Sequence, residues 1–156
     1  MKLCSSRIPV LVLAFLLQLG LILPVRSAAA AELKILIDVF SASEEAGGVS
    51  PNLEYIRAQL GNTPFKFNSY RSLGTKLLTL ESGIREEVVF DVSWNLLVGI
   101  EVLEANEESV SLSLTLSRDG EEFLATTVDL ARTATVLVGG PALPDGVMMI
   151  AVTEGW

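Results

Sequence analysis

Aspartate and glutamate are the only abundant side chains in this 156-residue chain that could move protons or hold a metal. Histidine is absent, and the one cysteine, Cys4, lies in an apolar N-terminal stretch. From Glu32 onward this excludes Ser–His–Asp triads, cysteine nucleophiles, redox CxxC pairs and zinc sites of the usual type. What remains is carboxylate chemistry: the paired acid and base of a hydrolase, or the oxygen cage of a calcium ion. Glu44-Glu45, Glu86-Glu87, Glu107-Glu108 and Glu121-Glu122 are adjacent pairs. Adjacent side chains on a strand point to opposite faces, so such pairs rarely converge on one substrate and read as solvated turn chemistry and edge protection. Asp38 stands between Ile37 and Val39, and is expected on the outer face of its strand beside Lys34. Asp119, Glu121 and Glu122 have the composition of a calcium cluster without the twelve-residue loop and its closing glutamate. Gly139-Gly140-Pro141 lacks the G-x-G-x-x-G spacing, and Gly47-Gly48 precedes a helix without a following GK[ST]. No catalytic, cofactor-binding or metal-ligating residue is assigned, no cofactor is expected, and the chain reads as a binding protein rather than an enzyme.

Two groups of residues are candidates for contact. Phe65, Phe67 and Tyr70, interleaved with Lys66 and Arg71, have the spacing of a ligand-stacking strand, and Trp94 is a further ligand aromatic. Phe65 and Phe67 share one face, which favours core packing for both. The second group is Pro141, Leu143 and Pro144, in a stretch that joins two very apolar runs. A loop stiffened by two prolines loses little entropy on docking, so Leu143 at its tip is the candidate partner contact. The opposing expectation, that Leu143 folds back onto the sheet, has equal weight.

The elements that must position these residues are mostly of period two. Leu33, Ile35, Ile37 and Val39 alternate with Lys34, Leu36, Asp38 and Phe40, predicting a strand with one strongly apolar face. Ser50-Pro51 reads as a helix N-cap followed by proline at the first turn. Leu53, Ile56 and Leu60 then share a helical face, and Gly61 suits a left-handed cap. Strands are predicted from Phe65, with a second run from Thr75 to Glu81 after Gly74. The single-parity run from Val88 to Val102 is too long for one strand and is divided near Ser93-Trp94-Asn95 into an antiparallel pair. Val110, Leu112, Leu114 and Leu116 alternate with hydroxyl residues, and Asp119-Gly120 has the chemistry of a type I′ hairpin turn. Thr135 to Val138 and Val147 to Val152 form the last pair, expected to lie centrally or under the helix and to be joined by a long loop over 139–146. The fold class is α+β, mostly β: an antiparallel β-sandwich or open barrel with one short helix, in one domain over 32–156.

Residues 1–31 read as a cleavable signal peptide. Lys2 and Arg7 precede an apolar run from Ile8 to Leu23, and Ser27 to Ala31 offers small-x-small cleavage sites. The remaining 125 residues carry eight bases against nineteen acids, a charge of −11. Nucleic acid is excluded as a partner, because phosphate affinity comes from clustered Lys and Arg. A chain of that length stands without disulfides, burying roughly two-thirds of its surface.

The stretch Thr135 to Pro141, with Val147 to Val152 after it, resembles the glycine-paired strand ends of bacterial secretin-type outer-membrane proteins. The resemblance covers thirteen residues and implies a place in an envelope assembly, no more. The expected function is therefore binding in the periplasm or outside the cell, as a structural or accessory component of a bacterial envelope assembly. The expected partner is an envelope protein, or a second copy of the chain, with no transmembrane span after cleavage. A glycan or small-ligand module is the alternative, and a carboxylate-based hydrolase comes third.

Overall fold

A computed structural model describes residues 32–62, 66–92 and 95–155. The leader, Phe65, Trp94 and Trp156 lie outside the described residues. Among the described residues, nine strands form two sheets packed face to face. The first sheet has the order β2 (Gly48–Val49), β3 (Ser69–Leu80), β1 (Leu33–Ser43), β9 (Gly146–Glu154), β8 (Thr135–Leu143). The second is a meander of β4 (Arg85–Asp91), β5 (Asn95–Ala105), β6 (Ser109–Arg118) and β7 (Glu121–Ala131). The pairings between these strands are antiparallel except the two-residue contact of β2 with β3, and an isolated parallel bridge joins Ser82 to Val102. This is a β-sandwich, as the alternation predicts.

The core follows from parity. Ile35, Ile37 and Val39 of β1 and Val98 and Ile100 of β5 are fully buried between the sheets, as are Leu112 and Leu114 of β6. The long run does divide between β4 and β5, which pair Val88 with Val98 and Phe90 with Leu96. Asp119 and Gly120 have φ of 52° and 89°, the left-handed pair that a type I′ turn demands. Gly120→Val therefore places a β-branched residue in that region and is expected to cost roughly 1 to 3 kcal/mol. Urea unfolding checks it, and a midpoint equal to the parent's would reject the turn assignment.

A second apolar cluster lies on the outer face of the first sheet. A 3-10 turn (Pro51–Ile56) runs into α1 (Arg57–Asn62). It lays Leu53, Ile56 and Leu60 over Phe40, Met149 and Ala151. The predicted helical face is correct, but both caps differ. Ser50 makes no side-chain cap; its Oγ accepts the Ser72 N–H at 3.2 Å and its own N–H donates to Tyr70 O at 2.9 Å. The edge of β3 claims this residue before the helix can. Gly61 is still helical and has no positive φ, so it is not a left-handed cap.

Three strand expectations are corrected as well. The runs on either side of Gly74 are one strand, β3, with a bulge opposite Val39 and Phe40 that leaves Leu73 as the extra residue. The 139–146 loop is instead strand: β8 continues through a bulge after Gly139 to Leu143, and only Pro144 and Asp145 turn. Of the final pair, β9 is central but β8 is an edge. Apolar residues on both faces of β8 reflect its two clusters, with Val136 and Val138 facing the inter-sheet core and Leu137 facing the helix.

Candidate functional site

The inner row of β1 changes character along its length. Ile35, Ile37 and Val39 face the second sheet; the next residues of the same parity are Ser41 and Ser43. Hydroxyls cannot replace branched aliphatics in a dry core without hydrogen-bond partners, and here the sandwich opens at one end. A cleft of about 390 Å³ forms there, within the range of about 300 to 1,000 Å³ typical of small-molecule sites. Its floor is Ser41 and Ser43 of β1 with their cross-strand partners Arg71 and Ser69 of β3. Leu73, Val92, Leu143 and Pro144 supply an apolar side, and Glu45 and Asp145 are the carboxylates.

Arg71 is exposed, and its guanidinium makes no hydrogen bond or ion pair among the described residues; beyond the strand ladder, its backbone oxygen accepts from Ser41 Oγ at 3.5 Å. It is therefore available to a ligand. Glu45 and Asp145 are exposed and also line a second, smaller recess with Glu44, Phe67 and Val147. A third recess, under α1, is lined by Phe67 and Tyr70 with Arg57 and Lys66. Phe67 and Tyr70 meet edge to face, 6.3 Å between centroids, and Tyr70 tilts against Phe40 at 6.3 Å. Tyr70 is buried in the outer cluster and Phe67 packs against it, so the pair serves the core beneath α1.

Of the contact candidates that the structure describes, Phe67 and Tyr70 lie at the same end of the sandwich as Leu143 and Pro144. Leu143 and Pro144 are in the cleft, whereas Pro141 sits in the β8 bulge beside a separate shallow recess lined by Arg118 and Phe123. Leu143 is not at a loop tip. It pairs with Gly146, is half-buried and packs on the inter-sheet core.

Two polar arrangements escaped sequence reasoning. Asp38 is on the outer face of β1, as its parity dictates, but it is 1% exposed rather than solvated beside Lys34. The helical segment crosses above it, and its carboxylate accepts the Tyr55 hydroxyl on one oxygen and the Thr75 hydroxyl on the other. The signal was there to read: a carboxylate on the same face as Phe40, followed by a helix carrying a tyrosine. Partial burial and the hydrogen bond to Asp38 push the Tyr55 hydroxyl well above its usual range. A raised folded-state pKa stabilises the protein below the unfolded value, about 10 for tyrosine, and this is lost as pH rises through the folded value. Stability should therefore fall above about pH 10, and Tyr55→Phe should remove that part of the slope. Denaturant unfolding from neutral to alkaline pH measures it; equal slopes for parent and variant would reject the linkage.

The other arrangement is at the opposite end of the sandwich. Arg132 donates to Asn106 O through Nε at 2.9 Å and Nη2 at 2.5 Å, and pairs with the Glu154 carboxylate. It ties the β5–β6 and β7–β8 turns to the end of β9, joining the two sheets away from the cleft.

Among the described residues, no three or more His, Cys, Asp or Glu are grouped to hold a metal ion. No helix among them is long and apolar enough to cross a membrane. No family model, curated protein or solved structure matches the chain.

Proposed function

We propose that this protein is an exported, non-catalytic binding domain, an accessory or structural component of a bacterial envelope assembly, with the end cleft as its contact site. One observation carries the reading. The cleft gathers Leu143 and Pro144 against a floor of three serines and an arginine whose guanidinium engages nothing among the described residues. Export rests on the sequence of residues 1–31, and the intact protein from its native envelope fraction should begin at Glu32 or within two residues of it. The absence of histidine from the chain, and of cysteine after Cys4, removes histidine-activated serine and cysteine nucleophiles, which supports a role in binding.

Leu143→Ser is a poor probe, because Leu143 packs on the core and its loss would lower the melt as well as the contact. Pro144 is exposed beside it. A photo-crosslinking residue at Pro144 should give discrete adducts in the native envelope, whereas one at Leu77, on the outer face of the first sheet, should not. Equal adducts from both positions, or none from Pro144, would count against the cleft as the contact site.

A hydrolase is the second reading, favoured by one observation: Glu45 and Asp145 line the same cleft. It requires that Glu45→Gln and Asp145→Asn each abolish release of new reducing ends or amines from envelope polymers. Under the binding reading the parent protein releases none.

A further inference from the structure

We infer that the end cleft binds a neutral saccharide, one or two rings of an envelope glycan. This rests on the reading of the cleft as the binding site and adds the chemical class of what enters it. A sugar ring offers adjacent hydroxyls, each both donor and acceptor, on one edge, and C–H groups on its faces. The cleft matches that inventory. Arg71 presents up to five N–H donors, Ser41, Ser43 and Ser69 can donate or accept, and Glu45 and Asp145 accept. The pairings Ser41 with Arg71 and Ser43 with Ser69 fix the backbone of four of these residues on two hydrogen-bonded strands, so that only side chains have to be ordered on binding. Leu143 and Pro144 provide the apolar surface for a ring face, and the cleft volume of about 390 Å³ suits a ligand of this size.

Charge selects within the class. One arginine against two carboxylates leaves the lining with a net −1, on a chain that carries −11 from Glu32 onward. A uronate or a phosphorylated polymer would approach against that field. A cationic amine would be drawn by that field but repelled by Arg71 on the floor. A neutral ring avoids both penalties while using every donor and acceptor.

The test is an NMR titration of the purified protein with neutral hexoses, N-acetylhexosamines and their disaccharides, with a hexuronate and glucosamine as charged comparators. At least one neutral sugar should shift signals of the cleft residues and leave those around Leu77 unmoved. Arg71→Ala should weaken it about tenfold, the loss of one charge-assisted hydrogen bond. Ser43→Ala should weaken it less. The guanidinium of Arg71 engages nothing among the described residues, so Arg71→Ala should melt with the parent. No shift from any neutral sugar at about 50 mM, where a site with a Kd of about 1 mM would be saturated, overturns the proposal. So does tighter binding of the uronate, or binding indifferent to Arg71→Ala. If the sugars fail while Pro144 still crosslinks discretely, the saccharide falls and the contact site stands; if both fail, both fall.

Discussion

Gly146→Ala is expected to cost about 3 kcal/mol or more, at the upper end for steric overpacking. A Cβ at position 146 would lie 2.1 Å from the Ala42 carbonyl oxygen and 3.0 Å from its carbon. Both atoms belong to the backbone of β1, where Ala42 is paired with Val147 on one side and Tyr70 on the other. No flexible side chain can swing aside, so the β8–β9 turn must lift away from β1. That turn carries Pro144 and Asp145, so the cleft should be deformed along with the stability. Urea unfolding should show a lowered midpoint with an unchanged slope. A parental midpoint would mean that the turn is not held against β1 as described.

Leu114→Ala is expected to cost about 2 to 5 kcal/mol, the usual penalty for a large-to-small change in a packed core. Leu114 is 1% exposed and pairs with Ile100, itself fully buried, in the centre of the second sheet. Its neighbour Ser113 points outward, between Glu101 and Thr127, and Ser113→Ala should stay within about 0.5 kcal/mol. The two variants differ by one residue and by which face they touch. If Ser113→Ala proves the more damaging, the inward and outward faces of β6 have been exchanged.

Sequence patterning carried much of the architecture because the sandwich is built from alternation. The β4–β5 break, the β6 faces and the Asp119-Gly120 turn all depend on neighbouring residues, and neighbours are what a sequence displays. What escaped depends on distant strands. The fate of Asp38 was decided by Tyr55 and Thr75, which the fold brings to it, and Gly139 to Leu143 became strand because β9 was available to pair with it. Bulges opposite Val39 and after Gly139 shift register where no local pattern announces it. The cleft was partly legible: Leu143, Pro144 and Arg71 stand out separately in the sequence, but Ser41 and Ser43 are not among the candidates. Serines at core parity after three buried aliphatics were the sign that the sheets part there.

The order of strands also governs when the chain can fold. Sheet β4-β5-β6-β7 is a meander of sequence neighbours and closes over short loops. The other sheet cannot be completed until the last strand arrives, because β9 lies between β1 and β8 and sets Ile35 against Glu154. Non-local pairings of this kind are slow to form, since loop-closure entropy is lost before any contact is gained. During synthesis β1 should therefore wait, apolar and incompletely paired, until β9 has emerged. The same delay leaves β1 exposed to other chains, which makes the interval before β9 docks the period of greatest aggregation hazard.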